Sequence, residues 1–301
     1  MYHLNGCRDN LNTLILLSKP YNNEIFHRNE LKLGYHRFLN YLQPKVPRSF
    51  SIGLHFEKDP LIIKKLIELF SVDSALNDIE CKLLDTMLSN NNREFFERKS
   101  DFVFKAYENF IKRYSEIADL FQLVINTVFY SPSKVASGGS TSCAIGTIWA
   151  DLRETWVDSD CDEFFIHELT HNLLFLDEYC YQHYRDLTAT IQKENYCLSA
   201  ILSKARPVDK VLHSLLVAVE ILLFREKHDL NPPHPKAHPP TKVILKKCLA
   251  TFDSLDRDKN VFNLLTNRAL ELVNKCRKEV YRLSSEYKYQ TISSETFGTF
   301  L

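Results

Sequence analysis

The chain has 301 residues, of which 45% are hydrophobic and 25% charged, enough for a sizeable core in one large domain or two small ones. Lysine plus arginine and aspartate plus glutamate balance at 38 each, so no global field would attract nucleic acid or an anionic membrane. The cysteines form no CxxC pair, the N-terminus carries no signal-peptide run, and no stretch has the apolar length of a membrane span. We therefore expect a cytoplasmic protein with reduced thiols, and neither nucleic acid nor membrane as a partner.

The first 120 residues are predicted to form a helical scaffold. Asp59 and Pro60 supply an N-cap and a first helical residue, and apolar residues at helical spacing follow them. A broad aromatic and aliphatic face runs through the longest of the predicted helices. These helices cover residues 29–42, 61–70, 78–88 and 93–121.

The pattern changes near residue 123. Segments 123–130 and 144–152 are rich in β-branched and aromatic residues and predict two strands, joined through a turn that contains Gly138 and Gly139. We expect the strands to form a small antiparallel sheet packed near the helix that follows them. The predicted fold class is therefore mainly α, a multi-helix domain with a small antiparallel β element.

Further helices are predicted on both sides of a stiff, proline-rich segment. The whole chain is predicted to be one large domain, with a helical scaffold over 1–120, the core of a metal site over 121–228, and the proline-rich loop and a C-terminal helical hairpin over 229–301. The predicted helices cover residues 158–186, 192–204, 207–225, 242–255 and 261–283.

The most informative motif is His167-Glu168-Leu169-Thr170-His171. Residues four apart lie on one face of a helix, so His167 and His171 can reach the same metal ion. The flanking residues are apolar nearly all round, as in a buried helix, where ionisable groups are costly unless they are paired. The sequence therefore predicts a metal site with Glu168 as its catalytic residue. The alternative is a pair of hydrogen-bonded core histidines.

A third ligand would decide the class of the metal site. The metzincin position is Asp177, but Leu174 stands where the turn glycine would be, and a continuous helix would point Asp177 roughly 80° away from the histidine face. A gluzincin pattern would offer Glu194. His213 is the better candidate, because it lies in an otherwise apolar predicted helix and shares a polar stripe with Asp209. The alternative for His213 is a core histidine satisfied by a neighbour.

The segment from about Asp162 to Arg225 resembles the HExxH-type iron- and 2-oxoglutarate-dependent peptide β-hydroxylases, a peptide-modification family associated with ribosomal peptide natural products. The resemblance rests on the HExxH run, the Arg206-Pro207 pair and a helix that opens Val211-Leu212-His213. Ser214 stands where the family pattern would have a glycine.

The resemblance implies an Fe(II) site with 2-oxoglutarate as cosubstrate. His167, His171 and His213 would be the metal ligands, which leaves positions for a bidentate 2-oxoglutarate and for O2. Arg206 would bind the distal carboxylate of the cosubstrate, and Asp209 would fix the tautomer of His213. The substrate would be a ribosomally made peptide, hydroxylated at the β-carbon of a side chain.

Two other functions stay open at the level of the sequence. A zinc-dependent metallopeptidase would use the same two histidines, with Glu168 as general base for a metal-bound water. Imidazole suits both Zn²⁺ and Fe(II), so the ligand types do not separate the two enzymes. The second alternative is a helical binding protein with a structural metal, to which Cys161 and Cys180 would contribute thiolates.

Overall fold

The described part of the chain is mainly α-helical, as predicted, and it divides into two compact units. The N-terminal unit holds Tyr2 and Leu4–Cys180, and the C-terminal unit holds Met1, His3 and Tyr181–Leu301. Compact units can belong to one domain, so the single domain predicted for the whole chain stays a prediction. Within the described ranges, no helix is both long enough and apolar enough to cross a membrane. The computed structural model describes residues 1–22, 27–49, 53–71, 93–134, 136–232, 234–257 and 259–297.

The helices of the N-terminal unit confirm most of the predicted scaffold. The helix predicted over 93–121 is two helices, because the backbone leaves the helical region at Tyr114 (φ −125°, ψ 63°). The helix predicted over 78–88 lies outside the described residues. The helices of this part of the chain are α1 (Tyr2–Ser18), α2 (Arg28–Leu42), α3 (Pro60–Ser71), α4 (Arg93–Arg113), α5 (Ser115–Val124) and α6 (Asp158–Tyr181).

A four-stranded mixed sheet is formed by β1 (His55–Glu57), β2 (Thr127–Tyr130), β3 (Gly138–Gly139) and β4 (Thr147–Ala150), in the strand order β1-β2-β4-β3. The predicted segments 123–130 and 144–152 do contain strands, β2 and β4, but these pair parallel rather than antiparallel, because the chain crosses over through β3 between them. The antiparallel element expected near the HExxH helix is the pairing of β3 with β4, in which Gly138 lies opposite Ala150.

Phe165 anchors α6 in the core of the N-terminal unit. Its side chain is fully buried, and its ring centroid lies 5.3 Å from that of Phe110, 5.9 Å from Phe121 and 6.0 Å from Tyr107. These rings come from α4 and α5, and aromatic pairs at such distances stabilise a core beyond the apolar area that they bury. The helix of the predicted metal site is thus packed directly on the helical scaffold.

Lys32 closes the C-terminal end of α5. Its Nζ donates to the carbonyl oxygens of Gln122 (2.7 Å), Leu123 (3.0 Å) and Ile125 (3.4 Å). The last carbonyls of a helix have no partner inside the helix, so a lysine can satisfy them. The side chain is buried, and burial lowers the pKa of Lys32 to about 7. Lys32 therefore fixes where α5 ends and the chain turns toward β2.

Helix α8 is the centre of the C-terminal unit, whose elements are α7 (Leu187–Thr190), β5 (Cys197–Leu198), β6 (Ala205–Arg206), α8 (Val208–Lys227), α9 (Thr241–Arg257), α10 (Lys259–Leu264) and α11 (Asn267–Phe297). Residues 211–225 are all buried, and α9, α11 and β5 pack against them. Arg225 is only 2% exposed, and its Nη1 donates to the Pro239 carbonyl (2.9 Å) and to Thr241 Oγ1 (3.2 Å), which ties the proline-rich segment to the core.

Three predicted helices of the C-terminal half need correction. The helix predicted over 192–204 is wrong, because this stretch holds a 3-10 turn and then β5, which pairs antiparallel with β6. The HExxH helix ends at Tyr181 rather than near residue 186, since Gln182 adopts a left-handed backbone conformation (φ 50°). The helix predicted over 261–283 is divided between α10 and α11.

Candidate metal centre

Helix α6 is buried along most of its length, with one partly accessible stripe. Between residues 160 and 178 the half-buried residues are His167, His171, Phe175 and Glu178, which follow each other at helical spacing. Their neighbours in the chain are buried. Both histidines of the motif therefore lie on the side of the helix that a ligand can reach.

Arg113 and Tyr114 hold the first turns of α6. Arg113 donates from Nη2 to Asp162 Oδ1 (2.6 Å), from Nε to Asp162 Oδ2 (3.1 Å) and from Nη1 to Asp158 Oδ2 (2.7 Å). The Tyr114 hydroxyl donates to Asp162 Oδ2 (3.1 Å). Burial raises the pKa of Asp162, and the bonds from Arg113 oppose that rise. These bonds fix the rotation of α6 and hence the direction in which its histidines point.

The two imidazoles converge. Their Nε2 atoms lie 3.1 Å apart, and their ring centroids are separated by 4.9 Å. A bond from histidine to Zn²⁺ is about 2.0–2.1 Å long, so two nitrogens at this separation can reach one ion. The same separation also suits a hydrogen bond between the rings, which is the core-histidine alternative. Phe175 stacks on His171 with an interplanar angle of 19°.

Glu168 is buried beside this pair. Its Oε2 accepts a hydrogen bond from Ser140 Oγ (2.7 Å), and its Oε1 lies 4.0 Å from His167 Nε2. Burial raises the pKa of Glu168 to about 8, and the bond from Ser140 acts in the opposite direction. The carboxyl group thus joins the loop after β3 to α6 beside the histidine pair.

Asn172 connects the same loop to the helix. Its Nδ2 donates to Ser140 Oγ and to the Glu168 carbonyl, both at 2.9 Å, and its Oδ1 accepts from the Gly146 amide (2.7 Å). Gly146 has a left-handed φ of 81°, and a Cβ at this position would lie 2.8 Å from Asn126 Nδ2. Glycine is therefore required where the loop presents its amide to Asn172.

Strand β3 lies directly on α6. A Cβ added to Gly138 would overlap the ring of Phe164 and would lie 2.7 Å from the Trp149 carbonyl oxygen. The absence of a side chain at Gly138 is what allows this approach. The close packing brings Ser140, two residues later, to the level of Glu168.

The other predicted site residues lie in the C-terminal unit. His213 is buried on α8, and burial lowers its pKa to about 3, helped by the charges of Lys210 and His183. Asp209 Oδ2 lies 3.7 Å from Lys210 Nζ, whereas its Oδ1 is buried without a hydrogen-bond partner, so Oδ1 does not orient the His213 ring. Arg206 is half-buried on β6.

The described residues offer a divalent ion two nitrogen ligands, His167 Nε2 and His171 Nε2. Among the described residues, no three His, Cys, Asp or Glu side chains are grouped so that they could hold a metal ion. The structure therefore brings His167 and His171 together and groups no third protein ligand with them. Cys161 and Cys180 lie about 28 Å apart along the continuous α6, at 1.5 Å per residue, so they cannot both bind one structural metal.

Sequence reasoning missed Ser140 and Asn172. Asn172 could have been predicted to form hydrogen bonds, because it is a polar residue in an apolar run directly after the motif. Such a residue is hydrogen-bonded when it is buried, as Asn172 is. Ser140 carried none, since it follows a glycine pair that the sequence identifies only as a hairpin or mobile loop. Both residues act through contacts that the loop conformation creates.

Two comparisons with known proteins give no relative, since no protein-family model matches the chain and no curated protein matches it significantly. The resemblance to the peptide hydroxylases therefore rests on the residues of this sequence.

Proposed function

We propose that this protein is an Fe(II)- and 2-oxoglutarate-dependent hydroxylase that acts on the β-carbon of side chains in a ribosomally made peptide. The observation that carries the proposal is the pair His167 and His171, whose Nε2 atoms lie 3.1 Å apart on the half-buried stripe of a buried helix. Imidazole nitrogens suit Fe(II). The family resemblance of the segment from Asp162 to Arg225 supplies the choice of reaction.

The reaction divides the work between iron and protein. Bound iron would supply the oxidation, in which O2 and 2-oxoglutarate yield succinate and CO2 while one oxygen atom enters a C–H bond of the peptide. The residues of the chain hold the metal ligands and orient them. Phe175 stacks on the His171 ring with centroids 6.3 Å apart, and the bonds from Arg113 to Asp162 fix the start of α6. Pre-set ligands of this kind lose little freedom when they bind an ion.

The burial of Glu168 favours a hydroxylase over a hydrolase. A general base must reach the water that it deprotonates. The Glu168 side chain is 4% exposed, and its Oε2 is already engaged by Ser140. Burial and the bond from Ser140 therefore restrict the access of Glu168 to water.

The proposal assigns His213 as third ligand, Arg206 as anchor of 2-oxoglutarate and Asp209, through Oδ2, as partner of His213. Among the described residues His213 is not grouped with His167 and His171, so its role rests on the sequence pattern. The role proposed for Arg206 can be tested separately from metal binding. Its guanidinium would pair with the distal carboxylate of 2-oxoglutarate and would not touch the metal. Arg206→Met should therefore weaken 2-oxoglutarate binding and leave the iron content unchanged.

The first test is metal analysis of the anaerobically purified full chain, followed by a titration with 2-oxoglutarate. We expect iron and a visible charge-transfer band on adding 2-oxoglutarate, and loss of both in His167→Ala and His171→Ala. His234→Ala is the matched control, because His234 is exposed and lies in the C-terminal unit. Tightly bound zinc with no response to 2-oxoglutarate would overturn the hydroxylase.

A zinc-dependent metallopeptidase is the second candidate, and the position of Glu168 Oε1 favours it. This oxygen lies 4.0 Å from His167 Nε2, and Ser140 engages only the other oxygen, so Oε1 is the oxygen that would act as general base if His167 and His171 held zinc. In that enzyme Glu168→Gln should retain zinc and lose peptide cleavage by at least about 100-fold. In the hydroxylase the same variant should keep the 2-oxoglutarate band.

A further inference from the structure

We propose that Ser140 and Asn172 are positioning residues that set the direction of the Glu168 carboxyl group, an inference that rests on the proposed metal site. Two hydrogen bonds run in series, from Asn172 Nδ2 to Ser140 Oγ (2.9 Å) and from Ser140 Oγ to Glu168 Oε2 (2.7 Å). Because Ser140 takes Oε2, the remaining oxygen, Oε1, is the one that lies toward His167 Nε2.

The Asn172 amide has one orientation in this network. Its Nδ2 uses both N–H groups, on Ser140 Oγ and on the Glu168 carbonyl, and its Oδ1 accepts the Gly146 amide. Exchanging the oxygen and nitrogen would place an N–H group against the Gly146 N–H. Since Ser140 Oγ accepts from Asn172, its own proton is directed to Glu168. Bonds in such a chain reinforce each other.

The loop that carries Ser140 is held at both ends. Gly138 packs against Phe164 on α6, and the Gly146 amide is bonded to Asn172, also on α6. The hydroxyl of Ser140 therefore has little freedom to leave Glu168. Loss of either positioning residue should let the carboxyl group turn while the histidine pair stays on its helix.

The consequence is a change in metal binding that passes through Glu168. Groups that orient the surroundings of a metal ligand typically change metal affinity or activity by about 10–100-fold when removed. We expect Ser140→Ala and Asn172→Ala to lower Co²⁺ affinity by about tenfold or more and to change the visible spectrum of the Co²⁺ complex. Ser140→Thr, which keeps the hydroxyl, should restore both.

The experiment titrates Co²⁺ into the full chain and its variants and records affinity and absorption together. Thr141→Val is the matched loop control, because the Thr141 hydroxyl accepts from the Cys143 amide (3.2 Å) and is not part of the chain of bonds to Glu168. Adding Ser140→Ala to Glu168→Met should cause no further loss. A full further loss in that background would show that Ser140 acts independently of Glu168 and would overturn the inference.

A second measurement needs no metal. In the metal-free chain, Ser140→Ala should lower the unfolding temperature by roughly 2–4 °C, and by much less when Glu168 is already Met. A wild-type chain that binds no Co²⁺ contradicts the proposed function. The unfolding temperatures of Ser140→Ala with Glu168 present and with Glu168→Met then decide whether Ser140 positions Glu168. If the wild-type chain binds Co²⁺ and Ser140→Ala and Asn172→Ala have the same Co²⁺ affinity and spectrum as Thr141→Val, only the positioning role is contradicted.

Discussion

Arg113 stabilises the buried carboxylate of Asp162 on α6. The Asp162 side chain is 2% exposed, and Arg113 supplies two of the bonds that it accepts. Removing one partner of a buried ion pair leaves an uncompensated charge, so Arg113→Met should lower the free energy of unfolding by about 3 kcal/mol. Urea unfolding measures this loss.

An exposed arginine provides the control for this prediction. Arg93 pairs with Glu97 at 3.2 Å on the surface of α4, and an exposed pair of this kind is worth about 0.5 kcal/mol or less. Arg93→Met should therefore leave the urea midpoint almost unchanged. Equal losses in the two variants would show that Asp162 does not depend on its partner.

At the scale of single residues, the sequence predicts local contacts and misses distant ones. His167 and His171 lie four residues apart on one helix, so their approach follows from helical geometry. Ser140 and Asn172 lie 32 residues apart, and Ser140 and Glu168 lie 28 apart. Such contacts depend on the conformation of a loop, and the pattern of residue types does not encode it.

The end of α5 should make stability depend on pH through Lys32. Burial lowers the folded-state pKa to about 7 from the ordinary 10.5, so between these values the unfolded chain binds more protons than the folded one. The free energy of unfolding contributed by this group therefore rises as the pH rises from about 7 toward 10. Lys32→Met should flatten the rise.

Urea unfolding at several pH values between 7 and 9 checks the role of Lys32. Lys58→Met is the control, because Lys58 is exposed and pairs with Asp101 on the surface, so its removal should leave the slope intact. A slope that persists unchanged in Lys32→Met would assign the pH dependence to another group. Lys32→Met should also cost about 1–3 kcal/mol at pH 9, since buried carbonyls lose their donor.

The contact between β3 and α6 is a second element-scale feature with a measurable cost. A methyl group at Gly138 would overlap Phe164, and overpacking of this kind typically costs about 1–3 kcal/mol. Gly138→Ala should therefore lower the unfolding temperature, and adding Phe164→Leu should recover part of the loss. Recovery should be incomplete, because the Trp149 carbonyl also limits the space. No recovery would place the strain elsewhere.

At the scale of elements, periodicity predicted most helices but not where tertiary contacts interrupt them. The break at Tyr114 has no proline or glycine to announce it, and it accompanies the bond from the Tyr114 hydroxyl to Asp162. The stretch predicted as a helix over 192–204 forms a hairpin instead, with Ser203 in a left-handed conformation (φ 53°) at its turn. The parallel pairing of β2 with β4 was not predicted either, because the glycine pair in the connection over residues 131–146 suggests a hairpin.

At the scale of the whole molecule, the histidine pair and the predicted third ligand belong to different compact units. If His213 is a metal ligand, His213→Ala should lower metal affinity more than the loss of a supporting group would, by at least about 100-fold. Isothermal titration of the full chain with Co²⁺ measures the affinity, with His234→Ala as the exposed control. An unchanged affinity would remove His213 from the site.

The mainly helical class followed from the sequence because helical periodicity recurs through most of the chain and glycine is scarce, with seven in 301 residues. The division into units did not follow. The division depends on which segments pack together. For example, Arg225 bonds to the Pro239 carbonyl and to Thr241 across the proline-rich segment.

The bonds made by Arg225 also limit how the chain can be cut. The proline-rich segment has the composition of a linker, which suggests that a fragment could end after α8. Such a fragment would remove the Pro239 and Thr241 acceptors of a guanidinium that is 2% exposed in the full chain. The loss of hydrogen bonds from a charged group, together with the loss of α9 from the core, is destabilising. A soluble fragment should therefore extend past Thr241 and include α9.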